Sequence, residues 1–156
     1  MVITVIIAVA TPERAQARTL RMPGDRERVR TFTVTAEGAD IWNQADEFHF
    51  AYKTLTGAGS IVARIESVSN TNGWAKACVM IRETLDPGSK HAIACITPGN
   101  GVAAQGRTLA DTDSFGYNET GITAPHWVKL ERDIGGNFTV AHSANGVNWM
   151  LVEGAV

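Results

Sequence analysis

The segment "GWAKACVMIRETLDPGSKHAIACITPG", Gly73 to Gly99, constrains this chain more than any other. Taken alone, its first half has helical composition. Ala, Lys, Met, Arg and Glu are good helix formers, and Trp74, Cys78, Ile81 and Leu85 share one helical face. Its middle, "LDPGS" at Leu85–Ser89, is strong turn chemistry. If the chain folds back there as a hairpin, Glu83 lies opposite Lys90, a favourable cross-strand charge pair. The same register sets Arg82 opposite His91, Met80 opposite Ile93 and Cys78 opposite Cys95, so the only two cysteines face each other. A slip of one residue destroys that match. The pairing therefore predicts two strands rather than a helix. Alternation gives one apolar face, Ala75, Ala77, Val79 and Ile81 with Ala92, Ala94 and Ile96. The other face carries Arg82 beside His91.

Two readings of the cysteines stand. They are buried free thiols, common in cores, or they form a cross-strand disulfide, which implies an oxidising compartment. No C-x-x-C or H-x-x-x-H spacing exists, so zinc is not expected.

The rest of the chain reads the same way. "TFTVTAEG", "EFHFAYKTLTGAGS" and "SIVARIESVSNTNG" alternate and end in turn residues. Val102–Thr108 forms a further strand, and the segment beyond it reads as a polar loop. "HWVKLERDIGGNFTVAHSANGVNWMLVEG" divides into three strands at "DIGGN" and "SANGVN", where Gly and Asn tolerate positive φ. Trp127 and Trp149 sit in apolar strands and read as core. With 156 residues and 15 glycines between short apolar runs, the chain suits a single all-β domain. A net charge of −2 gives no field for nucleic acid. No basic amphipathic stretch suggests a membrane surface.

Residues 1–30 differ in character from the remainder of the chain. Val2–Ala10 is a nine-residue apolar run, too short to span a bilayer. It reads as a buried strand, or as a signal-peptide core ahead of "AQA". Such a strand must be covered within its own fold or by a partner chain. Thr11–Arg30 is charged and reads as a linker or as a short surface helix between Pro12 and Pro23–Gly24. The division predicted is thus 1–30, strand plus linker, and 31–156, the main domain.

The motifs "GADIW", "DEFHF", "WAKACVMIRE" and "SANGVNW" together carry a resemblance. From about Thr31 to Val152 the sequence resembles the laminin-G-like, concanavalin A-like jelly-roll accessory modules, in particular those related to the "regulation of enolase" protein. The resemblance implies a two-sheet antiparallel β-sandwich and carbohydrate-related or adhesive roles outside the cytoplasm. Two positions depart from the family pattern: Cys78 stands where it has glycine, and Asn145 where it has aspartate.

For catalysis the sequence offers little. Concanavalin-like glucanases carry acids in an E-x-D-x-x-E spacing, which is missing here. Asp46–Glu47 does not reproduce it, since adjacent acids on a strand face opposite sides, and "LERD" at Leu130–Asp133 supplies only two acids. No hydrolase or phosphate-loop motif is present. A sugar-binding face needs aromatic surfaces and planar polar groups. The candidates are Trp42, His49, Arg64, Trp74, Arg82, His91, Gln105 and Arg107; His126 and His142 read as structural. Calcium is a minor expectation at Asp111, Asp113 and Glu119, or at Asp40 and Asp46. The function expected is a non-catalytic, secreted module with carbohydrate as its partner. The alternative is a subunit of a surface or filament assembly that self-associates through Val2–Ala10.

Overall fold

The computed structural model describes residues 2–9, 15–20 and 30–152. Over these residues the chain is all-β and contains no helix. The strands in chain order are β1 (Val2–Val9), β2 (Ala15–Leu20), β3 (Arg30–Ala36), β4 (Asp40–Trp42), β5 (Ala45–Glu47), β6 (His49–Leu55) and β7 (Gly59–Ile65). There follow β8 (Lys76–Arg82), β9 (His91–Thr97), β10 (Gly101–Arg107), β11 (Phe115–Glu119), β12 (His126–Arg132), β13 (Phe138–Ser143) and β14 (Met150–Leu151). They form a six-stranded sheet in the order β11-β10-β9-β8-β1-β6 and a four-stranded sheet in the order β14-β13-β12-β7. Two small ribbons, β2-β3 and β4-β5, complete the set. Every pairing is antiparallel.

The hairpin read from "LDPGS" is present in the predicted register. Cys78 pairs with Cys95, Met80 with Ile93 and Arg82 with His91. Beyond the strand ends, Glu83 N–H donates to Lys90 O at 3.0 Å, and the Lys90 ammonium meets the Glu83 carboxylate at 2.9 Å. Cys78 and Cys95 are joined in a disulfide with their Cα atoms 4.0 Å apart.

The predicted apolar face is core. Ala77, Val79, Ile81, Ala92, Ala94 and Ile96 pack with Ile61, Ala63, Ile65, Val128, Leu130 and Val140 of the four-stranded sheet. The opposite face is buried as well. Cys78, Met80, Ile93, Cys95 and Ala103 form a second cluster under Ile41, with Phe48 and Phe50 against it. β8, β9 and β10 are therefore buried along their whole length. A strand covered on both faces loses the hydrophobic alternation that a half-exposed strand shows. Here the polar members of the second face, Lys76, Arg82, His91, Gln105 and Arg107, have gone inside with the apolar ones.

The N-terminal run is a strand, and both of its edges are used within the chain. β1 pairs with β8 on one side and β6 on the other. Part of the segment read as linker or helix is instead β2, which pairs with β3 and so satisfies backbone groups that β3 would otherwise leave open. The proposed helix ends at Pro12 and Pro23–Gly24 lie outside the described residues. The polar segment after β10 also holds a strand, β11, which pairs along β10. Trp127 and Trp149 are half-buried rather than core. Trp127 lies between the inward-facing His126 and Val128, so it points to the outer side, where Gly146 packs on its ring.

Removing the disulfide by Cys78→Ala with Cys95→Ala should cost about 3 kcal/mol of unfolding free energy, as expected for a loop of this size. Urea unfolding checks this. Equal stability of the double variant and the native protein would show that the cross-link adds nothing.

Candidate functional site

The short hairpin of β4 and β5 lies across the second face of the six-stranded sheet. Ile41 and Asp46 are opposite each other in it, and both side chains are buried against that face. Ile41 enters the apolar cluster over the disulfide. Asp46 enters the polar end, among Arg82, His91 and Arg107. Glu47, the next residue, is exposed, as strand alternation requires.

Arg107 is the hub. Its Nη2 donates to Asp46 Oδ1 at 2.7 Å and its Nη1 to Asp46 Oδ2 at 3.1 Å, a two-pronged pair. The same guanidinium donates to Pro87 O at 3.1 Å and Ser89 O at 3.0 Å in the β8–β9 turn. It also reaches Asn43 O at 3.0 Å in the β4–β5 turn and Thr112 O at 3.0 Å in the β10–β11 loop. One side chain thus fastens three loops. Gly88 completes the joint, because a Cβ there would sit 1.9 Å from Asp111 Oδ1. Asp111 N–H donates to Gly88 O across this contact at 2.9 Å.

Arg82 lies 3.4 Å from Asp46 and donates to Thr84 O at 2.6 Å and to Asp86 O. Two buried guanidinium groups share one buried carboxylate. Burial raises the Asp46 carboxyl, against the hydrogen bonds and charge of Arg107 and then the charge of Arg82. Burial lowers the Arg82 guanidinium, against the charge of Asp46. His91 is pushed down to about 3, first by burial and then by Arg107 and Arg82. It is therefore neutral. Its Nδ1 faces only acceptors, Ser89 O at 3.4 Å and the Asp46 carboxylate at 3.5 Å, so Nδ1 holds the proton. Its Nε2 is a buried acceptor without a partner.

The structure brings four of the eight predicted residues, Arg82, His91, Gln105 and Arg107, onto one sheet face. Trp42 borders them. A Cβ on Gly116 would lie 2.9 Å from Gln105 Cγ and 3.4 Å from Trp42 Cζ3, so both side chains flank this bare backbone. Gln105 is buried, and its Oε1 has no hydrogen-bond partner. Trp74 lies at the other end of β8, 41% exposed, with the Lys76 ammonium 6.0 Å from its ring. His49 is exposed on β6, and Arg64 pairs with Glu66 on the other sheet. The sequence marks Asp46 only as a candidate calcium ligand and not as a member of this face. The "DE" pair marks a single inward acid without showing that its partners are Arg107 and Arg82.

A second polar chain links His126 Nε2 to His142 Nδ1 at 2.9 Å and His142 Nε2 to Glu119 Oε2 at 3.1 Å. Both histidines are buried, and burial followed by the charge of His142 lowers His126. Three of the five carboxylates suggested for calcium are taken up by cationic or imidazole partners. Asp40 pairs with Lys76, Asp46 with Arg107, and Glu119 with His142. Among the described residues no cluster of three or more metal-ligating side chains occurs.

No family model, curated protein or solved structure matches this chain. The chemistry of the site rests on its own atoms: a saturated ionic floor, with two unpaired acceptors, Gln105 Oε1 and His91 Nε2, on the same sheet face.

Asp46→Ala would leave Arg82 and Arg107 buried without a counter-charge. A loss of roughly 3–5 kcal/mol is expected by urea unfolding, and a loss within the error of the measurement would refute the hub. Stability should also fall with pH. The folded His91 titrates near 3 and the unfolded one near 6.5, so between these values the unfolded state binds more protons. Unfolding free energy should decline as pH drops below 6.5, and His91→Gln should flatten the curve relative to the native protein. An unchanged slope in that variant would contradict the assignment.

Proposed function

We propose that this chain is a non-catalytic binding module whose ligand class is carbohydrate, built as a two-sheet antiparallel jelly roll of the concanavalin A-like kind and working outside the cytoplasm. The observation that carries this reading is the placement of Trp42 and Gln105 together against the bare backbone of Gly116. Trp42 is partly exposed, and an indole face suits the apolar side of a sugar ring. Gln105 Oε1 is a buried acceptor lacking a donor, which a sugar hydroxyl would supply. Arg107 holds Asn43 O at 3.0 Å, immediately after Trp42, so the ion pair fixes the turn that presents the indole. A pre-set platform spends little ordering entropy on binding.

The non-catalytic reading is supported by how two of the acids are used. Glycoside hydrolysis calls for two free carboxyl groups across the scissile bond. Asp46 is committed to Arg107 and Asp40 to Lys76. The disulfide supports an oxidising compartment. The alternative, an assembly joined by strand addition through Val2–Ala10, has less support, since both edges of β1 are hydrogen-bonded within one chain.

Glycan-array screening followed by calorimetry tests the proposal. Trp42→Ala should abolish binding of whichever glycan the native protein takes. Gln105→Leu should weaken it about tenfold while leaving thermal stability intact, because an apolar group replaces an unsatisfied one. Failure of the native protein to bind any glycan, or binding that survives both substitutions, would rule the site out.

A further inference from the structure

The ends of β8, β9 and β10 face the β12–β13 hairpin across a cleft of about 510 Å³. That volume lies within the range of about 300–1,000 Å³ usual for small-molecule sites. Lys90 and Arg132 stand on its walls, and Arg82 and Arg107 lie at its back. Ile81 and Phe138 give it an apolar side. Four cations line the cleft against one lining acid, Glu83, with Asp46 behind them. The cleft is thus locally positive in a chain whose net charge is −2.

Arg82 and Arg107 are bound up in the Asp46 hub, and Lys90 shares its charge with Glu83. Arg132 differs. It is partly buried and donates through Nη1 to Gly57 O at 2.9 Å. Among the described residues no carboxylate lies within ion-pair distance of it. The nearest acid in sequence, Asp133, is tied into its own turn, accepting from Asn137 N and Nδ2 at 2.8 Å each. Beside the Arg132 fork stands Gly136, whose missing Cβ would lie 3.3 Å from Nη2. The guanidinium is therefore partly buried, without an ion-pair partner among the described residues, and beside a residue that has no side chain to crowd it.

We infer that this cleft binds a small organic carboxylate of about monosaccharide size, its carboxylate on Arg132 and Lys90 and its apolar side against Phe138 and Ile81. A planar fork matches a planar carboxylate in two-pronged fashion. An arginine with no ion-pair partner among the described residues, next to an apolar wall, suits a singly charged organic acid better than a phosphate. The inference does not depend on the Trp42–Gln105 platform, which is built on the face of the sheet rather than at its end.

Galacturonate is the probe, with galactose and inorganic sulfate as comparisons, each titrated into isotope-labelled native protein and followed by amide chemical shifts. The expected result is saturable shifts at Lys90, Arg132, Gly136 and Asn137 with galacturonate, none with galactose, and weaker binding of sulfate. Arg132→Gln should lose roughly tenfold or more in affinity, and Arg132→Lys should recover part of it. Should Arg132→Gln fail to fold, the native shift map still decides. The inference is overturned by an absence of shifts with galacturonate, by equal binding of galactose or sulfate, by shifts centred on Trp42, or by undiminished binding to folded Arg132→Gln. Shifts centred on Trp42 would support the platform while removing the cleft, so the two readings fail separately.

Discussion

The pairing of Asp46 with Arg107 is the interaction on which the site end of this molecule depends. Neither group tolerates burial alone, since an isolated charge loses far more hydration than a protein interior returns. Together they are held by a two-pronged contact, and the remaining donors of Arg107 are spent on backbone carbonyls from three loops. A buried ion pair of this kind is weak evidence for net stability, because desolvation offsets most of the Coulomb gain. Its effect is on uniqueness. Loops that would otherwise sample many conformations have one arrangement that satisfies every donor on this guanidinium.

The same cluster explains why the second face of the six-stranded sheet is closed. Arg82, His91 and Arg107 would ordinarily be solvated on an open sheet face. The β4–β5 hairpin brings the one carboxylate that lets two guanidinium groups go inside, and it brings Ile41 to cover the disulfide and its neighbours. Hydrophobic cover and charge neutralisation arrive on a single short hairpin. This also sorts the chemistry of the region: groups tied into the cluster hold loops, while Gln105 and Arg132 retain hydrogen-bonding capacity for something else.

Much of this was legible in the sequence where the information is local. The register of β8 and β9 followed from a turn signal, a charge pair and two cysteines, and each of those is a short-range cue. The apolar face of that hairpin followed from period-two alternation. What could not be read was cover from a distance. β4 and β5 have three residues each, too few to display a period. β11, "FGYNE", carries only two large apolar residues and looks like loop, because its strand character comes from pairing with β10. Arg82, His91, Gln105 and Arg107 were identifiable as a set, but their burial depends on Asp46, whose partner lies 61 residues away. Trp127 and Trp149 misled for the opposite reason: apolar strands suggested core, yet each indole lies on the half-exposed side. The Lys129 ammonium stands 5.3 Å from the Trp149 ring.

β1 adds a constraint that local cues do not contain. β6 reaches the six-stranded sheet only through β1, which is the first strand of the described chain and sits between β6 and β8. Without it, β8 would present a long edge of unpaired backbone groups beside β6, an invitation to pairing with another chain. With it, the strands that carry Met80, Cys78 and the ionic cluster are central rather than peripheral. A ligand surface benefits from that position. Trp42 and Gln105 are borne by a hairpin and a strand that rest on a fully paired sheet, so their placement beside Gly116 is set by the fold rather than by the approach of a ligand.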